Sequence, residues 1–385
     1  MYRKEPSFAL VVIDYSKCDS DFLRDRQIPE TPYGDRVWKN IQEIEEEFRR
    51  HGSEAIDDSP LFELKRAFIH PYADGTCKIV MPDVKEDGKL ILDNNVRGRE
   101  CFIISPPYIT DDRYTIINAK VADALFRGDS QDGVILWEIY NGNHRQDRRE
   151  GSESLNSYVI ARIYEANHIA HVLGYDPHYK QIENAFTRFE RLPLFGWLAV
   201  YYLNKYGVKD LTVVAPDVGA VDRARKVADF FGCPMAYMHK ERDPETGEPR
   251  IVELVGNVSG KKWLIVDDLI GSGKTVVKSV DYIRKKGGRE GTVMASHLQL
   301  TGNAKEKLMN LDGVRILGSD TFDHIYTPDE LEVFDIADTS RMTAMVTVLK
   351  ALRKHIGRFF QWEREENWEE ILWFSNKSPL HTRRC

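Results

Sequence analysis

The strongest chemical feature of the sequence is a pair of acids followed by a glycine-containing loop, in the stretch KKWLIVDDLIGSGKTVVKSV at residues 261–280. An apolar run at 263–266 leads into Asp267 and Asp268, and the loop then leads into a helical pattern. Glycine allows a backbone to approach a phosphate closely, and the free N–H groups of a loop and of a helix N-terminus attract anions. The pattern therefore predicts a phosphate site beside two carboxylates.

The end of this loop also resembles the phosphate-binding motif of ATPases, G-x-x-x-x-G-K-S/T. That motif requires a glycine five positions before Gly273, and Asp268 stands there instead. A carboxylate at this position would repel the phosphates of a nucleotide. The sequence therefore argues against an ATPase loop and leaves an ordinary strand-to-helix turn with an acidic cap as the simpler alternative.

Two acids that close a strand, followed by a small loop ending in threonine, are similar to the ribose-phosphate site of type I phosphoribosyltransferases and phosphoribosyl pyrophosphate synthetases. The resemblance implies that Asp267 and Asp268 contact the ribose hydroxyls or their Mg²⁺. It also implies that the 5-phosphate is held by the amides and hydroxyls of the loop residues, which are Gly271, Ser272, Gly273, Lys274 and Thr275.

Six further segments, in the expected order, resemble the synthetases rather than the transferases. They are 71–75 (PYADG), 143–149 (NHRQDRR), 175–182 (YDPHYKQI), 213–225 (VVAPDVGAVDRAR), 237–242 (YMHKER) and 297–302 (HLQLTG). Transferases alone would not supply the Arg-Gln-Asp or the His-Lys-Glu-Arg pattern. The chain is therefore identified as resembling the synthetases, which move a diphosphate from Mg-ATP to the anomeric hydroxyl of ribose 5-phosphate.

The resemblance implies a role for each matching residue. ATP would be bound by Tyr72, Asp74, Arg145, Gln146, Asp147 and His178, and Mg²⁺ on the ATP side by His178 and Asp217. In this reaction the sugar O1 attacks the β-phosphorus and AMP leaves, so catalysis needs cations that neutralise phosphoryl oxygens. Lys240 and Arg242, on a loop expected to be mobile, are the candidates. A solvated loop at 240–249 and a solvated basic face at 145–149 remain the alternatives.

The sequence departs from the family at three informative positions. Thr76 stands where the family usually has Glu in its adenine-contacting turn. Gly271 and Lys274 replace an acid and a glycine of the phosphate loop, which removes one negative charge and adds one positive charge. An acceptor with a 5′-diphosphate, such as ADP-ribose, would gain from both changes. Ribose 5-phosphate leads on the family pattern, and ADP-ribose, a non-catalytic regulatory relative and a phosphoribosyltransferase remain alternatives.

Short apolar runs alternate with longer amphipathic segments, which predicts an α/β protein with mostly parallel sheets. Strands are expected at 7–13, 101–105, 133–138, 210–215, 234–238, 262–267, 291–296, 313–317 and 332–336. Helices are expected at 36–50, 112–126, 155–167, 194–206, 219–231, 274–286 and 339–355. The resemblance implies two type I phosphoribosyltransferase-like lobes, each a mostly parallel sheet flanked by helices. We expect an N-terminal lobe at 1–190 with an enlarged start, a second lobe at 191–345, and a helix with an aromatic tail at 346–385.

The composition fits a protein that acts on small ligands. The 385 residues are 42% hydrophobic and 30% charged with a net charge of −7, which gives no reason to expect nucleic acid as a partner. The five cysteines contain no C-x-x-C pair, and no stretch approaches the ~18 apolar residues of a membrane span. We therefore expect a cytoplasmic protein without a membrane partner. The resemblance implies a homo-oligomer, because family members usually share the ATP site between subunits.

Overall fold

The computed structural model divides the chain into two compact units. It describes residues 7–16, 18, 29–50, 60–81, 83–84, 90–91, 96–108, 111–131, 133–146, 152–178, 180–242 and 249–351. Unit 1 contains the chain up to Leu192, together with Asp323–Ile325 and the segment that begins at Thr339. Unit 2 contains Pro193–Phe322 and Tyr326–Asp338.

Unit 1 is built on a sheet of seven strands. Its strands are β1 (Phe8–Asp14), β2 (Phe62–Pro71), β3 (Cys77–Val80), β6 (Glu100–Ser105), β7 (Val134–Glu138), β8 (Ile169–Tyr175) and β9 (Phe189–Leu192), and a separate hairpin holds β4 (Asp83–Val84) and β5 (Leu90–Ile91). The helices α1 (Tyr33–Arg50), α2 (Asp112–Arg127) and α3 (Asn156–Ala166) belong to this unit. The strand order is β3-β2-β1-β6-β7-β8-β9, and β2 with β3 form the antiparallel pair of an otherwise parallel sheet.

Unit 2 is built on a second sheet of seven strands. These are β10 (Leu211–Ala215), β11 (Met235–Arg242), β12 (Pro249–Val255), β13 (Lys262–Ile270), β14 (Gly291–Leu298), β15 (Val314–Ser319) and β16 (Phe334–Ala337). Its helices are α4 (Leu194–Tyr206), α5 (Val221–Phe231), α6 (Lys274–Lys285), α7 (Ala304–Met309) and α8 (Pro328–Val333). The order is β12-β11-β10-β13-β14-β15-β16, with β11 and β12 antiparallel and the other pairs parallel.

The two sheets repeat one topology. Counted along the chain, the seven strands of each sheet lie in the order 3-2-1-4-5-6-7. The connections reverse direction between the first and fourth strands, which are β1 and β6 in unit 1 and β10 and β13 in unit 2. Open α/β sheets bind their ligands outside the carboxyl ends of the strands at such a reversal. The expected fold class, two mostly parallel sheets flanked by helices, is confirmed.

All nine expected strands and all seven expected helices coincide with observed elements. The strands that pattern reasoning missed are β2, β3, β4, β5, β8, β9 and β12. In β2, with the sequence FELKRAFIHP, Lys65 is buried and its ammonium lies 3.0 Å from a Glu63 carboxylate oxygen. Arg99, the residue before β6, also pairs with Glu63. Buried ion pairs of this kind hide the alternation of apolar and polar residues on which strand prediction depends.

The last described helix, α9 (Ser340–Ala351), packs in unit 1 against α1. The hydroxyl of Tyr33 lies 2.7 Å from Thr343 Oγ1, and the Arg341 guanidinium donates to Glu47 at 2.9 Å. The indole of Trp137 donates to Thr347 Oγ1 at 2.9 Å. The expected domain limit at residue 345 therefore falls inside a helix that belongs with the N-terminal part of the chain. Residues 352–385 lie outside the described residues, and none of the described helices is both long and apolar enough to cross a membrane.

The buried carboxylate of Asp323 connects the segment Asp323–Ile325 to the N-terminal part of unit 1. It accepts hydrogen bonds from the Tyr108 hydroxyl at 2.7 Å and from the Tyr33 amide at 2.8 Å. It also pairs with the Arg36 guanidinium at 2.9 Å, and the Asp323 side chain is fully buried. Removing one partner of a buried pair leaves the other charge uncompensated. Asp323 is therefore a major stabilising residue of unit 1.

We expect Asp323→Ala to lower the free energy of unfolding by about 3–5 kcal/mol, because Arg36 and Tyr108 lose their shared acceptor. Denaturant titration followed by circular dichroism measures this change. The matched control is Asp229→Ala, an exposed aspartate on α5, which should shift the free energy by less than about 0.5 kcal/mol. A loss below 1 kcal/mol for Asp323→Ala would contradict the assignment.

A second prediction concerns acid stability and His171 of β8. Burial, together with the charges of Lys350 and Arg188, lowers the pKa of His171 to about 4, so the contact of 3.6 Å with Glu190 is not an ion pair at neutral pH. Between about pH 6.5 and 4, His171 binds a proton in the unfolded chain but not in the folded chain. The free energy of unfolding therefore falls as the pH falls. His171→Asn should flatten the dependence of Tm on pH in this window, whereas His70→Asn, at an exposed position, should not. Identical slopes for wild type and His171→Asn would refute the prediction.

Candidate active site

The acid pair lies at the topological reversal of unit 2, in the last part of β13. Asp268 is 5% exposed, and its backbone N–H donates to Asp267 Oδ1 at 2.9 Å. Arg223 of α5 reaches both acids, with its Nη1 3.6 Å from Asp267 Oδ1 and 3.6 Å from Asp268 Oδ1. One guanidinium therefore faces two carboxylates in a largely buried setting.

The acid pair has more negative charge than its surroundings neutralise. Burial and the neighbouring Asp268 raise the pKa of Asp267 well above its usual value, and the Arg223 charge only partly opposes this. Bringing a further cation next to the pair would stabilise the ionised form of both carboxylates. Among the described residues no group of three or more His, Cys, Asp or Glu side chains is arranged to hold a metal. Two carboxylates nevertheless fit Mg²⁺, which proteins usually bind through one or two acids together with substrate phosphates.

Lys240, near the carboxyl end of β11, faces the same acids. Its Nζ lies 4.0 Å from Asp217 Oδ2, and its side chain is 16% exposed. Burial lowers the pKa of Lys240, while the carboxylates of Asp217 and Asp267 oppose the shift. The ammonium of Lys278 on α6 adds to the lowering. Lys240 is thus a partly desolvated cation directed at the acid cluster.

Asp217 is held in place by its own turn. It caps the short 3₁₀ helix Val218–Ala220, where its Oδ1 accepts from the Ala220 amide at 3.2 Å. The other oxygen, Oδ2, is the one near Lys240. The structure therefore brings together four of the sequence-predicted residues, Asp217, Lys240, Asp267 and Asp268, at the carboxyl ends of three neighbouring strands.

The loop after β13 is anchored at its start and open at its end. The carbonyls of Ile270 and Gly271 accept from the amides of Leu300 and Thr301 at 3.0 and 3.1 Å. Gly273 has φ +74°, a left-handed conformation that favours glycine, and it caps the N-terminus of α6. The first amides of a helix have no partner within the helix, and this first turn carries Lys274 and no acid. The loop therefore has the geometry and charge of an anion site.

The other loop residues line the same turn. Ser272, Lys274 and Thr275 are exposed, and Gly271 has no neighbour closer than 3.6 Å to the position of an added Cβ. The nearest atom to that position is Gln299 Oε1. A larger side chain therefore has room at 271, so the missing family acid is not excluded by packing.

The residues predicted to bind ATP at the first turn lie at the end of β2 in unit 1. Tyr72 is 48% exposed, and its amide donates to the Thr76 carbonyl at 2.8 Å. Asp74 Oδ1 accepts from the Thr76 amide at 3.0 Å and from its hydroxyl at 2.7 Å, and these bonds lower the pKa of Asp74. Thr76, the residue that departs from the family pattern, thus keeps Asp74 ionised and shapes the turn.

The remaining predicted residues of unit 1 follow β7 and β8. Arg145 ends the 3₁₀ helix Gly142–Arg145, and both Arg145 and Gln146 are exposed. His178 is half-buried and follows β8. Asp147 lies outside the described residues, as does the side chain of Arg242, whose backbone ends β11. His178 and Asp217, both predicted to bind metal, belong to different units.

Two basic residues of the site were not given a role by sequence reasoning. Arg223 lies inside the segment 213–225, six positions after Asp217, on the helix that begins at the reversal. Lys278 follows Lys274 by four positions and so shares its face of α6. The spacing of Arg223 and Lys278 could have indicated that they lie near the predicted site residues. The contact of Arg223 with two acids, however, depends on how α5 packs against β13.

Comparison with known proteins identifies relatives of this chain. Residues 195–323 match the family model of the phosphoribosyl transferase domain. A ribose-phosphate pyrophosphokinase from Thermosipho africanus is 30% identical over 251 residues, which cover 63% of this chain and 77% of that protein. One from Streptomyces avermitilis is 30% identical over 263 residues, covering 68% and 79%.

The fold is also similar to that of a solved structure. The crystal structure of phosphoribosylpyrophosphate synthetase from Mycobacterium smegmatis matches with a TM-score of 0.68 at 21% identity, covering 89% of this chain and 98% of that one. That likeness concerns the fold. Since the chain is 30% identical to relatives of which it covers more than three quarters, it belongs to the ribose-phosphate pyrophosphokinase family.

Proposed function

We propose that the protein transfers the β,γ-diphosphate of Mg-ATP to the anomeric hydroxyl of ribose 5-phosphate, giving phosphoribosyl pyrophosphate and AMP. The observation that carries this proposal is the cluster at the reversal of unit 2, where Asp267 and Asp268 face Arg223 and Lys240 beside the glycine loop. An acid pair suits the hydroxyls of a ribose, and the loop suits its phosphate. The relatives named ribose-phosphate pyrophosphokinase support the same activity.

The acceptor would bind across the end of β13. The amides of the loop 271–275 and the positive end of the α6 dipole would hold the 5-phosphate. The carboxylates of Asp267 and Asp268 would accept hydrogen bonds from the ribose hydroxyls. This binding leaves the anomeric oxygen near Lys240 and Asp217, where a nucleotide would have to present its β-phosphorus.

Catalysis in this proposal is electrostatic. Phosphoryl transfer spreads negative charge over the phosphoryl oxygens, and preorganised cations lower the barrier. Lys240 is already partly desolvated, which strengthens its interaction with such charge. Arg242 would assist from the end of the same strand. Mg²⁺, held by Asp267 and Asp268 on the sugar side and by His178 and Asp217 on the ATP side, would supply further neutralisation.

ATP itself would be bound by unit 1, and by more than one copy of the chain. The exposed Tyr72–Asp74 turn follows β2, whereas Arg145 and Gln146 follow β7. The order β2-β1-β6-β7 separates these ends by three strand intervals, or about 14 Å. The two groups would therefore bind either different parts of one nucleotide or two nucleotides that belong to neighbouring subunits. We propose a homo-oligomer on this basis.

A second acceptor is favoured by a specific feature of the phosphate loop. Lys274 is exposed in the first turn of α6, and the space at Gly271 is open. Lys278, one helical turn further along, extends the positive face. A 5′-diphosphate, as in ADP-ribose, would interact with more of this charge than a single phosphate would, and its transfer product would be ADP-ribose pyrophosphate.

The activity is tested by incubating the full chain with Mg-ATP and ribose 5-phosphate and quantifying AMP. We expect Lys240→Ala to reduce kcat by about 10²–10³-fold, the cost of one preorganised donor, with an unchanged circular dichroism spectrum. Lys262→Ala, at the amino end of β13, is the matched control and should retain wild-type turnover. Wild-type protein that releases no AMP with either acceptor would refute the proposed function. Full activity of Lys240→Ala would refute only the role of Lys240.

The choice of acceptor is tested at Lys274. Lys274→Gly should raise the KM for ADP-ribose by about tenfold, and it should raise the KM for ribose 5-phosphate by less, because a diphosphate has more charge to lose. Steady-state AMP release with each acceptor gives both values. Lys286→Gly, at the far end of the same helix, should change neither. Equal losses with the two acceptors would remove the charge argument for ADP-ribose.

A further inference from the structure

A buried carboxylate lies directly beneath the turn that carries Arg145 and Gln146. Glu138 is the last residue of β7, and its side chain is fully buried. Its Oε1 accepts hydrogen bonds from Asn141 Nδ2 at 2.8 Å and from the Tyr164 hydroxyl. A buried charge is costly unless it is paired and hydrogen-bonded. The groups around Glu138 must therefore stabilise its charged form.

The side chain that faces Oε2 of Glu138 belongs to the turn itself. His144 belongs to the 3₁₀ helix Gly142–Arg145, and its Nε2 lies 3.1 Å from Glu138 Oε2, within ion-pair range although not aligned as a hydrogen bond. Burial raises the pKa of Glu138, but the charge of His144 and the hydroxyl and amide donors outweigh it, so that the pKa is lowered overall. The Glu138 carboxylate is therefore ionised, and the His144 imidazole lies beside it.

Asn141 ties the other end of the same turn to Glu138. Its Oδ1 caps the 3₁₀ helix by accepting from the Asn143 amide at 3.0 Å, while its Nδ2 donates to Glu138 and to Thr115 Oγ1, the latter at 3.2 Å. Residues three apart lie on one face of a 3₁₀ helix, so the side chains of residues 141 and 144 point inward together. The next two side chains, Arg145 and Gln146, are exposed.

The network continues into the helices behind the sheet. Asn118 of α2 donates to the Tyr164 hydroxyl at 3.1 Å and accepts from Ser105 Oγ at 2.5 Å. Glu138 therefore connects the nucleotide-side turn to β6, α2 and α3 through side chains whose partners are already fixed. Such a network of buried hydrogen bonds holds its members in one arrangement.

We infer that Glu138, acting through His144 and Asn141, is a positioning residue that fixes the backbone of residues 142–146 so that Arg145 and Gln146 are directed at ATP before it binds. This inference rests on the proposed function, since it takes these two residues as the nucleotide-binding ones. Fixing the turn in advance reduces the ordering that binding would otherwise require. Glu138 does not touch ATP in this account.

The test is Glu138→Gln, which preserves shape and the Oε1 acceptor but removes the charge that faces His144. We expect the KM for ATP to rise about tenfold, with kcat and the KM for the acceptor changed less than about twofold. Hydrogen exchange of the amides at 142–146 should become faster, because the turn loses its ionic anchor. A purely structural role would lower stability without this selective change in the KM for ATP.

Three further variants keep the experiment decisive. Tyr164→Phe removes one donor to Glu138 with little change in volume, and it should raise the KM for ATP by about two- to threefold. His171→Asn replaces another buried histidine that faces a glutamate in the same unit, and it should leave the KM for ATP unchanged. If Glu138→Gln does not fold, His144→Gln and Tyr164→Phe decide the matter through the same measurements.

The inference is overturned if folded Glu138→Gln keeps a KM for ATP within twofold of wild type. If wild-type protein releases no AMP, the proposed function fails, and calorimetric titration with ATP then decides the inference by itself. Weaker ATP binding by Glu138→Gln than by wild type supports it, and equal binding overturns it.

Discussion

Two neighbouring, largely buried carboxylates are the constraint on which the site of unit 2 depends. Asp267 and Asp268 repel one another, and burial raises the pKa of Asp267 further. Arg223 offsets only part of this cost, so the pair keeps negative charge that its surroundings do not neutralise. The same repulsion explains why Lys240 remains directed inward although burial disfavours its charge.

The doubled topology determines where such groups collect. Each sheet reverses its connections between the first and fourth strands, so the carboxyl ends of neighbouring strands converge at one edge. In unit 2 this edge carries an acid pair, cations and the glycine loop 271–275. In unit 1 it carries an exposed aromatic turn, an exposed basic turn and His178, and below the basic turn lies the buried charge of Glu138. One architecture thus presents two chemically different edges, which suits a reaction with two substrates.

Buried charge is used twice in unit 1 to hold separate segments of the chain together. Asp323 connects the segment Asp323–Ile325 to Arg36 of α1. The helix α9 contacts the first sheet, for example through the hydrogen bond between Trp137 and Thr347. Glu138 performs the same task over a shorter distance, within one strand-to-helix connection. In each case the charge is stabilised by several donors, so the loss of one partner strains the rest.

The sequence alone determined the fold class and the positions of most strands and helices, because these depend on periodicity and spacing within short segments. It also predicted the acid pair and the glycine loop as the site of unit 2. It did not reveal β2, whose buried charges look exposed, or the assignment of α9 to unit 1. Nor did it show that Arg223 reaches both Asp267 and Asp268, or that Glu138 lies beneath the basic turn. Only the tertiary structure decided these points, since each depends on contacts between side chains on elements that pattern reasoning treats separately.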